Sequence, residues 1–78
     1  MAEFGKLQEV IASTLNIDKD SVTEDLAVGS IPQWDSMGNL AIISAVEEAF
    51  GIEFPMEDLF DLNSVRALMD ELNKLEVD

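Results

Sequence analysis

Trp34-Asp35-Ser36-Met37-Gly38-Asn39-Leu40 is the stretch on which the fold of this chain turns. Asp35 is a good N-cap residue, and its charge suits the positive end of a helix. A helix therefore starts near Ser36, and the spacing predicts that it runs to about Phe50, where Gly51 supplies a C-terminal stop. Ser36 then places a hydroxyl at a helix start. The chain contains no His and no Cys. Nothing nearby can take the proton of that hydroxyl at neutral pH, so Ser36 is not a self-sufficient nucleophile. It is better placed to be modified by another enzyme.

The flanking segments follow from periodicity. In the second helix, Asn39, Ile43, Val46 and Phe50 share one face, with Ile42 and Ala49 flanking it. Met37, Leu40, Ala41, Ser44, Glu47 and Glu48 fall on or near the other face. Upstream, residues 16–34 show no sustained period; Ile17, Val22, Leu26, Val28 and Ile31 are scattered among polar residues, with Gly29 and Pro32 as breakers. A connection this long is functional or is packed by its own side chains. These apolar residues are expected to pin it to the core, with room for one short helical turn. Trp34 reads as a loop anchor. Before the loop, Phe4, Leu7, Ile11 and Leu15 predict a first helix over about residues 2–15, with Val10 and Thr14 beside the stripe. Asn16 and the polar run Asp18-Lys19-Asp20-Ser21 end it.

Downstream, Phe54-Pro55 marks a boundary, and Pro55 suits the first turn of a short third helix over roughly 56–61, carrying Leu59 and Phe60. Ser64 can cap a last helix over about 65–75, with the stripe Val65, Leu68, Met69, Leu72 and Leu75. Met37, Met56 and Met69 read mainly as fillers of irregular core gaps. No strand-like alternation competes. The expected fold is all-α: a small four-helix bundle with a long loop between helices one and two and a short third helix, one domain over residues 1–78.

Composition narrows the function classes. Four basic residues (Lys6, Lys19, Arg66, Lys74) face seventeen acidic ones, and the net charge is −13. Such a surface repels nucleic acid and anionic membranes, and it strains the fold through self-repulsion. Partners are expected to carry basic patches, with attraction screened over about 8 Å at physiological salt. Without cysteine there is neither a disulfide nor a thiolate metal site. Asp18, Asp20, Glu24 and Asp25 do not make a calcium loop, because Val22 sits where an oxygen ligand is needed and no glycine follows. No metal ligand is assigned. With no His, Cys or Tyr and no paired carboxylates that can be placed in a pocket, no catalytic residue is assigned either. No apolar run approaches the roughly 20 residues of a membrane span. Met1-Ala2-Glu3-Phe4-Gly5-Lys6 lacks the regions of a signal peptide, so the expected location is the cytoplasm.

Asp35-Ser36-Met37 with Leu40, the run Glu47-Glu48-Ala49-Phe50-Gly51-Ile52-Glu53-Phe54-Pro55, and Asn63-Ser64-Val65 together resemble the acyl carrier protein family, in the form of a discrete stand-alone member. The resemblance covers nearly the whole chain. It implies a 4′-phosphopantetheine arm, taken from coenzyme A and attached covalently to Ser36 by a phosphopantetheinyl transferase that brings its own base and magnesium. It makes Asp35 a cap and a transferase-recognition residue, and it makes Met37, Leu40, Ala41, Glu47 and Glu48 the partner face. Partners would be acyl-loading and acyl-processing enzymes of fatty acid, polyketide or other specialised acyl biosynthesis, and the carrier itself a monomer. Ile42, Ile43, Val46, Leu59, Leu62 and Leu68 are candidates to shelter an acyl chain.

Two departures matter. Gly38 and Ala41 stand where fatty acid carriers are often acidic, and Ile31-Pro32-Gln33-Trp34 replaces their glycine-containing loop. The loop points away from primary fatty acid synthesis, and the missing acids, with the apolar surface of Met37 and Leu40, point toward a drier partner contact. Two alternatives stay open. Met37-Gly38 is reminiscent of aminoacyl carriers of the D-alanyl type, although the Glu47-Glu48 region fits them less well. An acidic helical interaction module without a prosthetic group is the other.

Overall fold

A computed structural model of the chain describes residues 4–75. Its order is α1 (Phe4–Leu15), a 3-10 turn (Lys19–Ser21), α2 (Ser36–Phe50), a 3-10 helix (Met56–Asp61) and α3 (Val65–Lys74). The all-α expectation holds: among the described residues only isolated bridges, and no strand, accompany the helices. The first two residues expected in helix one lie outside the described residues.

Each α-helix starts or stops for a local reason. Asp35 caps α2 by accepting the Gly38 N–H at 2.7 Å, and Ser64 caps α3 by accepting the Ala67 N–H at 3.0 Å. Gly51 ends α2 in the left-handed conformation (φ 65°), where a β-carbon would be strained. Asn16 does the same after α1 (φ 57°), a conformation that Asn tolerates. The segment 56–61, expected as a short helix, takes the tighter 3-10 form, in a run longer than most of its kind.

One apolar cluster joins all three α-helices. Leu7, Ile11 and Leu15 come from α1; Ile42, Ile43 and Val46 from α2; Val65, Leu68 and Leu72 from α3. Asn39 and Phe50 lie half-buried at the edge of the α2 stripe. Ala49, expected beside that stripe, is exposed. Leu75, expected to close the α3 stripe, lies beyond the helix end and is 37% exposed.

The loop before α2 is tied down at both ends. Val22, Leu26 and Trp34 are buried, as anchors should be, and Ile17 and Ile31 pack against the cluster from its edge. Val28 is instead 38% exposed. Its backbone makes the tie: the Val28 N–H donates to the Asn63 carbonyl, and the Val65 N–H donates to Leu26. Gln8 of α1 donates to the Val22 carbonyl at 2.7 Å. The long connection thus bridges α1, α3 and the start of α2. Arg66 adds ion pairs to Asp25 and Glu24, but these are solvent-exposed and contribute little.

Candidate functional site

Ser36 is the first residue of α2, and it is exposed. The platform beneath it is firm. The Trp34 indole is fully buried, and its Nε1–H donates to Asn39 Oδ1 at 2.9 Å, one turn into the helix. The Trp34 carbonyl accepts the Gly29 N–H, and its N–H donates to Ile31. Trp34 is therefore the loop anchor that its position implied, and it fixes the angle at which the chain enters α2.

Gly38 closes the platform. A β-carbon there would lie 2.5 Å from the backbone carbonyl oxygen of Gln33. The 31–34 turn sits so tightly on the first turn of α2 that no side chain fits without moving backbone. The missing acid at this position thus has a packing cause.

The first N–H groups of a helix have no intrahelical acceptor. Asp35 Oδ1 takes that of Gly38, while those of Ser36 and Met37 remain at the helix start beside the hydroxyl. Such an end favours an anionic group. Ser36 has no histidine or cysteine to activate it, since the chain has neither. Among the described residues no set of three His, Cys, Asp or Glu side chains is arranged to hold a metal ion. The arrangement offers an accessible hydroxyl and an anion-compatible helix end.

Two open grooves border Ser36. One, of about 470 Å³, runs over the 28–34 turn. The other, of about 580 Å³, lies between α2 and the 3-10 helix and is walled by Leu40, Asn39, Met56, Leu59 and Phe60. Of the six residues expected to shelter an acyl chain, only Leu59 lines this groove; Ile42, Ile43, Val46, Leu62 and Leu68 belong to the packed core.

The expected partner residues distribute unevenly. Met37 (80% exposed), Leu40 (62%), Ala41 and Glu48 face solvent. Glu47 is half-buried and turns inward, accepting the Phe54 N–H at 2.8 Å. It stitches the 51–54 segment to α2. The gap-filler role fails for Met37 and for Met56, which is 82% exposed; only Met69 packs against the core. Phe60, at 90% exposed, had no assigned role. Met56 and Phe60 could have been noticed as two large apolar residues in a short acidic segment after a proline.

A family model described as the phosphopantetheine attachment site matches residues 33–72, just over half of the chain. The match begins in the turn that presses on Gly38 and ends in α3. Domains of this family are typically carriers without catalysis of their own, and they work with phosphopantetheinyl transferases and with further partner enzymes. No described helix is long and apolar enough to cross a membrane. The chain belongs to the phosphopantetheine-attachment family, whose domains hold 4′-phosphopantetheine covalently.

Proposed function

We propose that the chain is an acyl carrier protein and that Ser36 Oγ is the point of attachment. The carrying observation is an exposed hydroxyl at the first residue of a capped helix, with no base of its own. When a transferase docks, Oγ bonds to the phosphorus that bears the pantetheine, the P–O bond to the bridging oxygen of the coenzyme A pyrophosphate breaks, and adenosine 3′,5′-bisphosphate leaves. The hydroxyl proton goes to a base on the transferase. Asp35 keeps the helix start in place by holding the Gly38 N–H. The phosphodiester then lies beside a helix N-terminus, which favours its charge. The arm ends in a thiol, which holds cargo as a thioester.

The cargo is an acyl group, and the pathway is fatty acid, polyketide or other specialised acyl synthesis. The protein acts as a monomer in the cytoplasm, one carrier domain over residues 1–78. Its partners bring basic patches to an acidic surface. They dock on Met37, Leu40, Ala41 and Glu48, and the exposed Met56 and Phe60 extend that face across the groove. Glu47 supports the face from within through its bond to Phe54. An aminoacyl cargo draws less support than the sequence offered it, because the packing against Gln33 demands Gly38 whatever the cargo is.

The test is intact-protein mass spectrometry after incubation with coenzyme A and a broad-specificity transferase. A gain of one phosphopantetheine group is expected, and none in Ser36→Ala. A gain that survives in Ser36→Ala moves the attachment elsewhere, and a wild-type protein that stays bare leaves an interaction module. Loading by adenylating enzymes then sorts cargo: a thioester to an amino acid, with none to fatty acids, would establish the aminoacyl reading instead.

A further inference from the structure

The seam between the 3-10 helix Met56–Asp61 and α3 contains a group that carrier chemistry leaves unused. Glu71 is 8% exposed, the only charged residue in the buried set of the described residues. Its Oε2 is cut off from solvent and has no hydrogen-bond partner. Buried polar groups nearly always find partners, so an orphaned carboxyl oxygen calls for a physical reason. Glu71 lines a depression of about 340 Å³ with Asp58 and Asp61 from the 3-10 helix and Asp70 and Lys74 from its own helix. Asp58 stands within hydrogen-bonding reach of it.

Two ionised carboxyls in such contact repel, and the apolar side of the seam makes the repulsion worse. One proton between them turns the repulsion into a charge-assisted O–H···O⁻ bond. Burial first, and the Asp58 charge second, push the Glu71 carboxyl above its ordinary range, while Lys74 pulls it the other way. The 3-10 helix is the element that would give way. It has no side-chain cap and no fully buried residue of its own.

We propose that Glu71 and Asp58 share one proton, and that this proton is a pH-dependent latch holding the 3-10 helix, with its Met56–Leu59–Phe60 wall of the groove beside Ser36, against α3. The latch operates whatever Ser36 carries. A raised folded value means that its stabilisation is complete below the ordinary carboxyl value of 4.5 and is lost as pH rises through the folded one. An ion-paired carboxylate has the opposite sense.

Thermal melts of the full chain from pH 4.5 to 8, with amide hydrogen exchange at residues 56–62, test the latch. Glu71→Gln keeps a donor toward Asp58 without needing a proton. It should raise the melting midpoint at pH 7.5 by about 5 °C, match wild type at pH 4.5, and slow exchange at 56–62 only at the higher pH. In an Asp58→Asn background the same substitution should add less, since only the cost of burying the Glu71 charge remains. Glu71→Leu also removes the titration but supplies no donor, and its apolar burial adds only an offset that is constant with pH. A Glu71→Gln effect that is equally constant with pH overturns the latch. So does a carboxyl NMR titration that puts Glu71 at or below 4.5.

Discussion

The two walls of the groove beside Ser36 are built in opposite ways. On the α2 side, a fully buried Trp34, its indole bond to Asn39 and a backbone contact that only Gly38 permits fix the helix start. On the far side, Met56–Asp61 contributes no buried residue and leans on a seam containing an orphaned carboxyl oxygen. The Ser36 hydroxyl thus stands on a rigid mount, while the apolar wall opposite has little to hold it. That division suits a carrier. A transferase needs one hydroxyl in one geometry, whereas successive partners need a surface that can adjust.

Trp34→Ala should break the contrast most severely. Emptying a fully buried indole site costs about 3–5 kcal/mol, against a total of roughly 4–12 kcal/mol for a domain of this size. Urea unfolding should show a largely unfolded or barely folded variant. Trp34→Phe keeps most of the volume but leaves Asn39 Oδ1 without its donor, which costs about 1–2 kcal/mol. A Trp34→Ala protein within 1 kcal/mol of wild type would mean that the mount is not rigid.

Gly38→Ala is next in size. In an open helix the change would stabilise by about 1 kcal/mol. Here the new carbon meets the Gln33 carbonyl, so the expected outcome is a loss of about 1–3 kcal/mol and slower transfer of phosphopantetheine. Denaturant melts and timed mass spectra measure both. A stabilised Gly38→Ala would show that the 31–34 turn yields freely.

The same contrast separates what was legible in the sequence from what was not. The start of α2 could be read because capping is local chemistry: Asp35, Ser36 and the stop at Gly51 announce themselves. Trp34 could be read as an anchor because so large an apolar side chain in a polar loop has few other places to go. Gly38 could not, since its necessity depends on how a turn five residues earlier folds back. Glu71 looked like any acid on a helix. It lies three residues after Leu68 and one before Leu72, at the edge of the buried stripe, and only the arrival of the 3-10 helix buries it. Met56 and Phe60 eluded periodicity altogether. In a six-residue 3-10 segment the lean of the element, which is a tertiary matter, decides what is covered.

The mildest substitutions for the fold bear most directly on docking. Met56→Ser and Phe60→Ser remove side chains that are 82% and 90% exposed, so each should change stability by no more than about 0.5 kcal/mol. If the face that includes Leu40 and Met37 extends across the groove, the pair should still lower kcat/KM of an acyl-loading enzyme by about tenfold, the effect of losing one well-packed anchor. Salt then identifies the kind of contact. A loss due to apolar contacts stays the same from low to high ionic strength, whereas the loss in Glu48→Gln, an exposed acid on α2, should shrink as salt screens it. A double variant that loads at the wild-type rate would confine docking to α2 and leave the far wall without a partner. Should its loss instead fade with salt alongside that of Glu48→Gln, the acidic surface and not the apolar groove would be what partners recognise.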